Sequence, residues 1–389
     1  MSVETIITRC EELLEDLAHQ SVLGWKAEHA PAKAIGYLPV YAPRELIHAA
    51  GMLPVGVLGG GDRLEIIKGD SYFQSYICHL PRSVIELGLN GSLDCLDGFL
   101  FPSTCDVIRN LSGMWKMLFP DRYVKYVDVP QNHMGELGGQ FFQHELQTIR
   151  TDLEALRGGA PITDDDLRTA IADYNENRRL VRSLYALRSK SPWLVPTSEC
   201  YLLVRAGFVL PVEDHSRMLE EYLEAVERCD DRKPLDNSRI VLSGSFCEQP
   251  PVGLLRTLER AGCYIVDDDL LLLSRWHGKD VSTGGDPLLS LCTAFLQGSV
   301  DNATVYDSRG EKGQQLVRSV EENHADGVVF CAPSFCDPAL LDQPMLVSAL
   351  ERSHVPYTAF KYSENTGQFQ VIREQAGTFS DSVKLWGKT

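Results

Sequence analysis

The chain has 389 residues, 44% hydrophobic and 23% charged, with a formal net charge of −17. That is long enough for more than one core and ordinary for a globular protein. The acidity argues against nucleic acid as a partner, which would need clustered Lys and Arg, and no run approaches membrane-spanning length.

Read from the amino terminus, Met1 to Gln20 has the pattern of an amphipathic helix, with Ile6, Ile7, Cys10, Leu13, Leu14 and Leu17 on one side. It lacks the basic-then-apolar layout of a signal peptide, so the expected location is cytoplasmic. Ala34 to Val40 reads as a strand, and Pro43-Arg44-Glu45-Leu46 opens a helix that stops at Gly51. Met52 to Leu58 is the next strand, closed by Gly59-Gly60-Gly61. Ser75 to Leu87 has helical period and carries Cys78; a strand at 98–101, a helix from Asp106 to Leu118 and a strand from Tyr123 to Val129 follow. This alternation predicts an α/β domain over 1–144 with a largely parallel sheet.

Over 145–235 the β signal fades into long helical patterns. Thr163-Asp164-Asp165-Asp166 is a capping signal ahead of a helix from Leu167 to Leu187, and the polar stretch Asp230–Asn237, with Pro234, is a linker. A second α/β domain is expected over 236–389. Its strands are Arg239–Gly244, Cys263–Val266 and Tyr357–Tyr362, and its helices Val252–Ala261 and Pro344–Arg352. The predicted fold is thus α/β, with two similar Rossmann-like parallel-sheet domains around a helical insert.

One phrase occurs twice. Asp97 to Asp106 runs Asp-Gly, an apolar strand, Pro-Ser, then Cys105-Asp106; Asp326 to Asp337 repeats it with two more residues and ends in Cys336-Asp337. Loops leaving the carboxyl ends of parallel strands are where open α/β sheets place ligands. Each cysteine follows a strand and precedes a helix, a place that favours a thiolate.

Eleven cysteines without a secretory signal do not suggest a disulfide framework, and the absence of CxxC weighs against a zinc ribbon or thioredoxin-type site. Three thiolates from Cys78, Cys105 and Cys336, with no fourth at fixed spacing, match an iron–sulfur cluster with one open iron better than closed zinc. The alternative is that each is a buried, inert thiol. Cys247 shares the strand-end position and, like Cys331, could serve a second cubane or simply pack. Beside it, Glu248 is a candidate acid. Asp267-Asp268-Asp269 closes a strand near Arg275-Trp276-His277; crowded carboxylates raise each other's pKa and donate protons, or they cap helices. GxxxxGK[ST] and GxGxxG are missing, since Ser382 stands where Gly387-Lys388-Thr389 would need its first glycine, so any ATP chemistry belongs to partner subunits.

The stretch from Gly36 to Val55, then Phe335-Cys336-Asp337-Pro338 with Asp342-Gln343-Pro344, and Glu364-Asn365-Thr366-Gly367-Gln368 resemble signatures of the 2-hydroxyacyl-CoA dehydratase and benzoyl-CoA reductase superfamily. Phe101 to Gly113 and Cys247-Glu248-Gln249-Pro250-Pro251 look most like its ATP-dependent benzoyl-CoA reductase branch, and the length suits the smaller of the two substrate-handling subunits. The resemblance implies a [4Fe–4S] cluster on Cys78, Cys105 and Cys336, or a larger double cubane. It also implies a homologous iron–sulfur partner, ATPase activator subunits and electrons from ferredoxin. The reaction implied is two-electron reduction of the ring of benzoyl-CoA to cyclohexa-1,5-diene-1-carbonyl-CoA. Proton donors by position are Glu248, Asp268, Asp269 and His79; Arg82, Arg109 and Arg275 are candidates for the CoA phosphates. The rival readings are a 2-hydroxyacyl-CoA dehydratase subunit, which recycles its electron, and a non-catalytic scaffold whose cysteines are dispensable.

Overall fold

The computed structural model describes residues 1–276, 278–306, 310–363 and 369–386. His277, Glu364 to Gln368 and Gly387 to Thr389, singled out above, lie outside the described residues. Two four-stranded sheets are present, all strands parallel. The first has β1 (Ala34–Tyr37), β2 (Leu53–Gly56), β3 (Gly98–Pro102) and β4 (Tyr123–Val127) in the order β2-β1-β3-β4. The second repeats that order as β6-β5-β7-β8, with β5 (Ser238–Ser243), β6 (Cys263–Asp268), β7 (Gly327–Pro333) and β8 (Tyr357–Tyr362). Strand order reverses beside β3 and beside β7, the strands that precede Cys105 and Cys336. A switch point of this kind opens a crevice beyond the carboxyl ends.

The repeated phrase has a physical meaning in both copies. Asp97 accepts the backbone N–H of Ala34 at 2.9 Å and Asp326 that of Arg239 at 2.7 Å, so each aspartate pins the start of the neighbouring strand. The glycines that follow allow close approach. A Cβ on Gly98 would lie 2.9 Å from the Tyr123 ring, and one on Gly327 would lie 2.7 Å from Pro356 O and from the Phe379 ring. Phe99, Leu100 and Phe101, like Val328, Val329 and Phe330, are buried on both faces, as parallel strands covered by helices must be.

Between the sheets stand the helices Gln140–Leu156, Asp164–Lys190, Thr197–Ala206 and Val212–Val226. Thr163 forms a capping box with Asp166, so the long helix starts three residues before the expected Leu167. One continuous core runs from Tyr37 and Phe99 through Leu184 and Leu202 to Ile240 and Phe360.

Three expectations need correction. The amino-terminal helix is broken into Val3–Glu15 and Gln20–Glu28, because the Asp16 carboxylate accepts the N–H groups of Gln20 and Ser21 and starts a new helix. The Cys78 helix begins at His79 rather than Ser75. The helix placed at Pro344–Arg352 begins at Asp337, with Pro338 in its first turn, and carries Pro344 within it. Periodicity assigned nothing to Pro287–Gly298, Gln314–Glu322 or Phe369–Trp386, which are helices; Asp286 caps the first, accepting from Leu288 N and Leu289 N. Among the described residues no helix is long and apolar enough to cross a membrane.

Candidate metal and redox centre

Cys78, Cys105 and Cys336 are each the residue immediately before a helix: His79–Leu89, Asp106–Leu118 and Asp337–Arg352. Each thiol therefore stands at a helix N-terminus, with its partial positive charge. Convergence is visible in the electrostatics. Burial raises the Cys78 thiol well above its ordinary pKa, and the charges of Glu248, Cys336, Cys105 and Cys247 raise it further. Burial pushes Cys336 up to about 12, against the N–H of Ala339, with Glu248 and Cys105 adding to the rise. Cys105 is raised by burial while the N–H groups of Ile108 and Val107 favour its thiolate. Cys247, 8% exposed, is raised by burial and then by Cys105 and Cys336. Cys331 lies in β7, fully buried, where its pKa is raised by burial and by Asp269.

All eleven cysteines are free thiols. Crowded thiolates in a desolvated space repel one another, which holds these groups neutral, and a cationic iron–sulfur core would reverse that by stabilising the thiolate form. The donor set is soft sulfur, as such clusters require. Among the described residues no three cysteine sulfurs lie within 4.8 Å of one another, the spacing of ligands on one ion. Ligands of a cubane occupy separate corners and stand farther apart. The group that does meet the single-ion spacing is His48, Asp173 and Glu213, with His48 Nε2 3.5 Å from Asp173 and 3.4 Å from Glu213. It is a candidate metal-binding group of a different kind, partly exposed and free of sulfur.

The predicted acids take different places. Glu248 is 3% exposed, and its Oε2 accepts the backbone N–H groups of His79 at 2.7 Å and Leu80 at 3.2 Å. Its carboxylate caps a helix, which is a structural task. Asp268 is buried between Arg188 at 2.6 Å and Arg275 at 3.4 Å, and it accepts from Tyr185 Oη at 3.1 Å and Leu270 N at 2.9 Å. Asp269 accepts from Gly244 N at 2.5 Å, Ser243 Oγ at 2.9 Å and Ser245 N at 3.2 Å. Burial outweighs those bonds and pushes its carboxyl up to about 7. The His79 side chain is buried at the start of the Cys78 helix.

Asp269 lines a cleft of about 380 Å³ at the carboxyl edge of β5 and β6, bordered by Tyr185, Phe246, Ser274, Arg275 and Ala339. Phe246 precedes Cys247 and Ala339 follows Cys336 by three residues, so chain neighbours of two thiols border the cleft, although no cysteine is among its lining residues. Arg275 is engaged with Asp267 at 2.7 Å and lies 3.9 Å over the Tyr185 ring. Arg82 pairs with Asp70 at 2.9 Å. Arg109 is exposed on the Cys105 helix, 6.0 Å from the Tyr126 ring centre.

Sequence reading missed Arg188 and Arg178, the latter bonded to Glu45. Their signal was present: Arg178, Val181, Leu184 and Arg188 recur at helical spacing and all are buried. An arginine on an apolar stripe calls for a buried acid opposite.

Comparison with known proteins agrees along the chain's whole length. The family model described as 2-hydroxyglutaryl-CoA dehydratase, D-component matches residues 39–383. A benzoyl-CoA reductase subunit of Thauera aromatica is 55% identical over 387 residues, 99% of this chain and 100% of that one. The (R)-phenyllactyl-CoA dehydratase beta subunit of Clostridium sporogenes is 28% identical over 356 residues, covering 92% and 93%. The (R)-2-hydroxyglutaryl-CoA dehydratase beta subunit of Acidaminococcus fermentans is 28% identical over 355 residues, covering 90% and 92%.

Proposed function

The chain belongs to the 2-hydroxyglutaryl-CoA dehydratase D-component family, and from that premise we propose that it is an oxidoreductase subunit of a benzoyl-CoA reductase. The observation that carries the reading is the full-length identity of 55% to a benzoyl-CoA reductase subunit, against 28% to the dehydratase subunits. In this reading Cys78, Cys105 and Cys336 hold a [4Fe–4S] cluster, with a homologous subunit, an ATPase pair and ferredoxin as partners. When bound, such a cluster supplies single electrons at low potential.

The chain's own residues do the rest. Three helix N-termini favour the anionic ligand set, and burial keeps water from it. Two electrons and two protons convert the ring of benzoyl-CoA to cyclohexa-1,5-diene-1-carbonyl-CoA. Asp269 is the group suited to hold a proton near neutral pH, with its carboxyl pushed up to about 7 at the wall of the cleft. Asp268 is held between two arginines and Glu248 caps a helix, so neither is assigned proton transfer. Arg109, exposed beside Cys105, suits a CoA phosphate, and Arg82 is a second contact. Arg275 instead braces Asp267 and Asp268.

The test is iron and acid-labile sulfide per chain after anaerobic purification, with benzoyl-CoA turnover in the assembled complex. About four irons per chain, lost in Cys78→Ala, Cys105→Ala and Cys336→Ala, are expected; about eight would count a double cubane that recruits Cys247. An assembled complex whose Cys105→Ala variant keeps iron and turnover would overturn the reading in favour of a scaffold. Dehydration of a 2-hydroxyacyl-CoA without net electron uptake would move the chain to the dehydratase branch.

A further inference from the structure

Cys78 occupies the N-cap position of its helix, where Ser, Thr, Asp or Asn would normally accept an N–H of the first turn, yet its side chain makes no capping bond. The N–H groups of His79 and Leu80 would be orphaned in a buried place. Both are instead taken by one oxygen of Glu248, 169 and 168 residues away in the chain. The loop that presents Glu248 is itself secured: Ser245 Oγ and Tyr362 Oη each donate to Glu248 O at 3.0 Å, and Leu271 N donates to Gln249 Oε1 at 3.0 Å. Cys105 and Cys336 also stand at N-cap positions without a capping bond of their own. There the N–H groups of Val107 and Ile108, and that of Ala339, favour the thiolate.

We propose that Glu248 is a positioning residue for the cysteine centre: it caps the Cys78 helix from the opposite α/β unit, and so holds the Cys78 thiol against Cys105 and Cys336 while placing a fixed negative charge beside them. The inference rests on the cluster reading above for its redox consequence, but the cap stands on hydrogen bonds alone. Capping by Glu248 takes up the first-turn N–H groups and leaves the Cys78 sulfur to face the other thiols. The charge acts separately. A carboxylate next to a cluster disfavours the added electron, which lowers the reduction potential.

Two variants in the anaerobically purified complex separate the effects. Glu248→Ala removes cap and charge, so amide exchange protection at His79 and Leu80 is lost. Iron retention against a chelator weakens by roughly 10–100-fold, as for other residues that orient a metal ligand. Glu248→Gln keeps an acceptor oxygen, so protection and iron return toward wild type, while the midpoint potential moves to a more positive value. Should Glu248→Ala fail to assemble, Glu248→Gln carries the test. Unchanged exchange and iron retention in Glu248→Ala, or an unchanged potential in Glu248→Gln, would overturn the proposal. Wild-type complex without iron would sink the cluster reading instead, and exchange at His79 and Leu80 in the same samples would still report on the cap.

Discussion

The two sheets share one strand order and one repeated phrase, yet their carboxyl edges are furnished differently. At the first sheet the edge contributes two thiols, Cys78 and Cys105, each at a helix start. At the second, Cys336 and Cys247 are joined by a charged wall of Asp267, Asp268, Asp269, Arg188 and Arg275 and by a cleft. The two units share the letters that set strand spacing and differ in the letters that do chemistry. Asp97 and Asp326 have the same task in both units, whereas the residue that follows β2 where Asp269 follows β6 is the apolar Val57.

The largest effect that would break this comparison is removal of Arg188, whose side chain is 1% exposed and pairs with the fully buried Asp268. Arg188→Ala leaves the buried Asp268 with only the longer ion pair to Arg275, beside the second sheet alone, and chemical denaturation should show a loss of about 3 kcal/mol. Next comes Asp269. Its folded pKa, about 7 against 3.8, means the folded chain holds a proton that the unfolded chain has released between those values. Stability from this group therefore falls as pH rises from 3.8 to about 7 and is level above. Denaturation midpoints at about pH 5 and about pH 8, on either side of that folded value, should differ less in Asp269→Asn than in wild type. Equal differences would remove Asp269 from its role as a proton holder.

Smaller effects test the shared letters. Asp97 serves Ala34 N and Lys26 Nζ at 2.7 Å, while Asp326 is exposed. Asp97→Ala should cost about 1–2 kcal/mol and Asp326→Ala about half that, measured by thermal unfolding. The smallest concerns Phe335, the residue before Cys336. It stands at φ +64 with 53% of its surface exposed. Phe335→Gly should stabilise the chain by about 0.5–1 kcal/mol, since glycine adopts that conformation without strain.

Much of the fold was legible. Strands β3, β7 and β8 and the capping box at Thr163 follow from local patterns that need no distant contact. The Asp16 break was hidden because a carboxylate can continue one helix or cap another, and only packing chooses. At the site, Cys105 and Cys336 were marked by repetition. The roles of Glu248 and Asp268 were not, because a carboxylate's task depends on which donors arrive from elsewhere in the chain.

The sequence by itself determined the two α/β units, the repeated strand, and Cys105 and Cys336 each just ahead of a helix, because these depend on residue spacing and backbone conformation. Tertiary structure decided that the thiols come within reach of one another's charge, that Glu248 caps a helix some 169 residues away, and that Asp268 is ion-paired while Asp269 keeps a raised pKa. Burial and partner choice between distant segments set those outcomes, and neither is written in the local sequence.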